Sequence, residues 1–136
     1  MFPEKIAKSH RIKLTRMLED IQRASKDIDA LRLAYLQIAE DSVALAHGDS
    51  ALMPCAGVQN QGCVQAGRCS EILQEHSVLK SSIERALYRG TDGKQVASLQ
   101  LQLDNLEDER DMLDSNLRAA QQSYAVRRQV ALGQEH

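Results

Sequence analysis

Two stretches of the chain place apolar residues at spacings that alternate between three and four. The first is Leu14, Met17, Ile21, Ala24, Ile28, Leu31, Tyr35, Ile38, Ser42 and Leu45, of which nine of ten are apolar. The second is Val96, Leu99, Leu103, Leu106, Arg110, Leu113, Leu117, Ala120, Tyr124 and Arg127, of which eight of ten are apolar. Neither slips out of register, as a coiled-coil seam requires. Such a stripe is unstable in water and must meet another helix. The large apolar members of both stripes are therefore candidate helix-seam interface residues. Ser42 and Arg110 stand at seam positions as polar residues. Polar seam residues set register and strand number; Arg110 can also bury its stem and keep its head in water.

Punctuation along the chain divides it into segments. Pro3 suits a first helical turn, and a long N-terminal coiled-coil helix is expected over residues 1–47, with Gly48 as its stop. Residues 48–69 hold four Gly, Pro54 and all three Cys, and read as a Gly/Cys-rich loop. Ser70 is then a candidate N-cap for a helix to Arg89, with the weaker stripe Ile72, His76, Leu79, Ile83 and Ala86 or Leu87. Gly90 ends it. Asp92, with Gln95 three residues on, can cap a third helix over 93–132. Residues 70–132 thus form a helical hairpin, and the whole is a single domain. The expected fold is all-α: an elongated coiled-coil hairpin or bundle with two long helices and one shorter. On that reading the short helix cannot cover either long stripe, and part of each stripe is left for a second copy or another helical protein.

Composition supports narrow seams over a broad core. In 136 residues there is no Trp, one Phe and three Tyr, whereas aromatic side chains usually dominate globular cores. The net charge of −2 selects no partner. Its distribution is uneven. Lys5, Lys8, Arg11, Lys13 and Arg16 oppose only Glu4 near the start, while residues 104–114 hold six carboxylates against Arg110. These blocks can attract each other, within a chain or between copies. Nucleic acid is a poor expectation, since no aromatic residue interleaves with the basic ones. No apolar run has the length of a signal sequence core or a membrane span. Synthesis in the cytoplasm is expected; the final location is left open, and a released particle is one setting compatible with it.

Cys55, Cys63 and Cys69 are spaced C-x7-C-x5-C. This resembles the first three ligands of CCCH-type zinc fingers, a resemblance covering fifteen residues. It implies a zinc-dependent RNA-binding module. The family's His, four positions after the third Cys, is Leu73 here, and His76 is the substitute ligand within reach along the chain. Tetrahedral zinc accepts three thiolates and one imidazole. A second reading makes the same three cysteines disulfide or crosslink candidates, the odd one pairing between chains. A third leaves them as small apolar thiols.

No catalytic signature is present. His10, His47, His76 and His136 sit with no nucleophile in a recognisable catalytic pattern, no Glu precedes a His by three, and the acidic block lacks a calcium-loop spacing. The expectation is a non-enzymatic structural subunit that associates through helix seams, without cofactor or small-molecule substrate. A large assembly such as a phage virion would be its setting. The alternatives are a helical secretion chaperone or export-ATPase stalk-type adaptor, and the CCCH-like module.

Overall fold

In the computed structural model the described residues are 8–46 and 58–133, with side chains described over 8–41, 62–130 and 132–133. The architecture is all-α, with three helices and no strand among the described residues: α1 (Lys8–Ala46), α2 (Val58–Arg89) and α3 (Gly93–Gly133). The positions expected at Pro3, Gly48, Pro54 and Cys55, and the side chains of Ser42 and Leu45, lie outside the described residues.

The α2–α3 junction forms for local reasons. Gly90 adopts φ +94°, a left-handed conformation that an L side chain resists, and its N–H bonds to the Ala86 carbonyl at 3.0 Å. Two residues later the Asp92 carboxylate accepts the Gln95 N–H at 2.8 Å, while its carbonyl accepts the Val96 N–H at 3.1 Å. That is an N-cap of the expected kind. The Gln95 side chain accepts from the Thr91 hydroxyl instead of reaching back to the Asp92 backbone.

One boundary differs from expectation. The segment 58–69 belongs to α2, which is 32 residues long, so the Gly/Cys-rich loop does not extend to Cys69. Ser70 is not a cap. Its hydroxyl donates to the Ala66 carbonyl at 3.3 Å, one turn back within the helix. The reason lies in Gly62. A Cβ built there would fall 2.8 Å from the Tyr35 carbonyl oxygen and 3.2 Å from the Ala39 Cβ. Gly62 lets two helix backbones approach each other, and is not a turn residue.

The longer α2 removes the shortfall in cover. Every described apolar position of the α1 stripe, from Leu14 to Ile38, is buried within the single chain. So are the α3 positions Val96, Leu99, Leu103, Leu106, Leu113, Leu117 and Ala120. The expectation that part of each stripe is left for a partner fails over these positions, while Tyr124, further along α3, is only partly covered. Each large side chain so buried contributes about 1.5–3 kcal/mol.

The chain divides into two compact units, each taking a segment of all three helices. Unit 1 comprises 1–28 and 71–110, and unit 2 comprises 29–70 and 111–136. In unit 1, His10 lies beside Gly93 and Asp27 beside Arg110, so α1 and α3 run parallel. Ser25 lies beside His76, and α2 runs against both.

Candidate functional site

Unit 1 contains a polar layer inside its seam. His76, 2% exposed, takes a position that an aliphatic residue would fill. Its Nδ1 shares a hydrogen bond with the Ser25 hydroxyl at 3.2 Å. Its Nε2 is buried with no partner among the described residues. Burial pushes the imidazole below its usual value of 6.5, and the Arg110 guanidinium pushes the same way. Arg110 keeps its charged head at the surface and donates to the Asp27 carboxylate at 3.1 Å. A seam Arg thus snorkels onto a partner, as its long stem permits. The Ser25 hydroxyl is the polar group that the imidazole meets inside the seam.

Unit 2 is held differently. Tyr35, 1% exposed, donates its hydroxyl proton to the Leu113 carbonyl of α3. Its phenol is pushed up to about 12, first by burial and then by Cys69 and Asp114. The α2 side of this unit is lined by small residues, Gly62, Ala66 and Cys69. The Cys69 thiol is fully buried. Burial raises it, and nearby Arg32 and Arg68 oppose the shift. A thiol in that setting behaves as a small apolar side chain.

The zinc and disulfide readings of the cysteines meet this geometry directly. Cys63 is exposed and Cys69 buried, both as free thiols. Six residues apart on one helix, their Cα atoms are about 9 Å apart, beyond the reach of a disulfide. Cys69 and His76 are two turns apart, about 10 Å along the axis, and His76 is engaged with Ser25. Tetrahedral zinc needs its ligand atoms about 2.0–2.3 Å from one centre. Cys63, Cys69 and His76 therefore do not share a metal site, and Cys55 lies outside the described residues. No group of three or more His, Cys, Asp or Glu among the described residues converges to hold a metal ion. No described helix is long and apolar enough to cross a membrane.

Among the grooves of unit 1, two shallow ones of similar size lie on the two flanks of α3. The α1–α3 groove, about 580 Å³, is edged by His10, Lys13 and Arg16, with Asp104 opposite and Leu101 in its wall. The α2–α3 groove, about 590 Å³, is edged by Glu71, Glu75 and Glu109 with no cation in its lining, and Val78 lies in its wall. Leu101 and Val78 are 61% and 67% exposed. In unit 2 the outward apolar residues include Leu33, Leu36, Val64 and Met112, and on α3 beyond Ala120 they include Val126, Val130 and Leu132. Tyr124 is only partly covered, and Arg127 is exposed.

Two features escaped sequence reasoning. The small-residue face of α2 left a trace in the spacing of Gly62, Ala66 and Cys69, which is that of a helical stripe, but small residues carry little weight in a hydrophobic pattern. The acidic groove draws only Glu109 from the acidic block, and Glu71 and Glu75 come from another helix. Comparison of the chain with family models, with curated proteins and with solved structures finds no match.

Proposed function

We propose that this chain is a non-enzymatic structural subunit that self-associates into a larger assembly, using outward helix faces while its seams hold the single chain together. The observation that carries this is the last part of α3. The helix continues to Gly133, but its inward stripe is last fully buried at Ala120. Val126, Val130 and Leu132 are then 56%, 54% and 49% exposed. Val126 and Val130 are one turn apart, on one face. An apolar face on a helix is stabilised by cover, and a neighbouring subunit provides it. The polar layer around His76 and Ser25 suits a structural role as well, since a polar group in a helix seam specifies pairing. Cys63, exposed and free, is available to crosslink copies where the surroundings are oxidising.

The test is the mass in solution, with reductant present and at about 0.5 M salt to screen surface charge. The wild-type chain is expected to exceed one chain and to grow with concentration. Val126→Ser with Val130→Ser is expected to shift it toward one chain. A single-chain mass for the wild type under all conditions overturns the reading.

A further inference from the structure

The two grooves that flank α3 in unit 1 match each other in size and oppose each other in charge. One presents Lys13 and Arg16 with His10 against a single carboxylate, Asp104. The other presents Glu71, Glu75 and Glu109 without a cation. Each has one large apolar side chain that is more than half exposed, Leu101 in the basic groove and Val78 in the acidic one. Glu71, Glu75 and Glu109 also interact within their own chain, so the match rests on the overall sign of each groove and not on idle carboxylates.

We propose that the basic α1–α3 groove of one copy receives the Glu71–Glu75 edge of α2 from a second copy, with Val78 of one set against Leu101 of the other. The occupant is a second copy because the same chain carries both the positive groove and the negative edge, on different flanks. Complementary potentials of this kind speed encounter and fix orientation. The short apolar pair at the centre supplies contact that does not depend on charge. Helix ridges settle into grooves between helices by ordinary side-chain packing.

The symmetry follows. The two surfaces that meet are different, so the contact is heterologous, and the joined pair keeps one unused surface of each kind. Association proceeds head to tail into rings or filaments and does not stop at a closed pair. This rests on the assembly reading and deepens it by naming the partner and the surface. It is separable from the apolar face of α3, because a charge-steered contact weakens with salt and an apolar one does not.

The experiment uses two charge-swapped chains. Lys13→Glu with Arg16→Glu makes both grooves acidic, and Glu71→Lys with Glu75→Lys reverses the negative edge. All four residues are exposed, so the seams are untouched, and circular dichroism checks that each variant remains helical. At about 20 mM salt, where charges act over roughly 20 Å or more, the wild type is expected to assemble. Each variant alone is expected to do so about ten-fold more weakly or worse, and an equimolar mixture is expected to recover assembly because each variant then meets its complement. Assembly of the single variants that equals the wild type, or a mixture no better than its components, overturns this proposal. Self-association of the wild type at 0.5 M salt would still stand for the broader reading. A wild type that remains a single chain at both salt concentrations overturns both.

Discussion

Units 1 and 2 draw on the same three helices, yet α2 enters them with different side-chain sizes. In unit 1 its inward positions are Ile72, His76, Leu79, Ile83 and Ala86; in unit 2 they are Gly62, Ala66 and Cys69. The spacing changes phase between the two sets. Steps of four and three lead from Gly62 to Cys69, the next step to Ile72 is again three, and the alternation then resumes. Such a three-residue slip locally overwinds a helical seam, and it falls where unit 2 ends at Ser70 and unit 1 begins at Glu71. Unit 1 is filled by larger α2 side chains and carries a buried imidazole in its seam. In unit 2 the backbones of α1 and α2 close on each other, and the bulk comes from Tyr35. Similar helical propensities thus support two kinds of core, one tolerant of a polar residue and one that leaves no room for a methyl group.

The largest expected effect comes from the side chain that fills unit 2. Tyr35→Ala should lower stability by about 3–5 kcal/mol, as for other buried aromatic truncations. Tyr35→Phe, which removes only the bond to the Leu113 carbonyl, should cost about 1 kcal/mol. Denaturant unfolding measures both. Equal losses for the two variants would mean that the hydroxyl, not the ring, holds this unit.

Two glycines of α2 sharpen the contrast. Gly62→Ala places its methyl group 2.8 Å from a backbone oxygen that cannot swing aside, and should destabilise by about 1–3 kcal/mol. Gly67→Ala meets nothing within 4 Å. It should stabilise by about 0.5–1 kcal/mol through helix propensity alone. Opposite signs in paired thermal melts support close backbone contact at Gly62, and a gain from both substitutions would remove it.

Unit 1 should answer to acid. His76 titrates below 6.5 in the folded chain because it is buried, with Arg110 adding to the shift. The unfolded chain therefore takes up the proton first. This contribution to stability is complete above pH 6.5 and is lost as pH falls through the lower folded value. His76→Leu keeps the seam filled, removes the unpartnered Nε2, and leaves Ser25 half-buried and within reach of water. It should raise stability near pH 7 by about 1 kcal/mol and flatten the decline between pH 6.5 and 5. An unchanged slope in melts across that range would assign the acid sensitivity to other groups.

Much of the fold was legible in the chain, and the reason is periodicity. The stripes of α1 and α3 consist of large aliphatic residues at unbroken spacing, and each described apolar member from Leu14 to Ile38 and from Val96 to Ala120 is buried. Gly90 and Asp92 marked the junction because each has a local backbone task. The first turns of α2 were hidden for the opposite reason. Gly62 and Gly67 resemble loop residues when each is read by itself, and only the neighbouring Tyr35 and Ala39 backbone shows what the absent Cβ at Gly62 accomplishes. The same error led to the expectation of unpaired seams, because a shorter α2 would have left them bare. The charge grooves were half visible. The basic residues at 13 and 16 were seen as an end of the chain, but the acidic edge depends on bringing Glu71 and Glu75 beside Glu109, which no local pattern encodes.

The most direct measurement is the sedimentation mass of the wild-type chain at low salt, with reductant present, as concentration rises. The mass is expected to start near 15.1 kDa and to climb through successive multiples without settling at two chains. A mass that stays at 15.1 kDa throughout contradicts the proposed assembly.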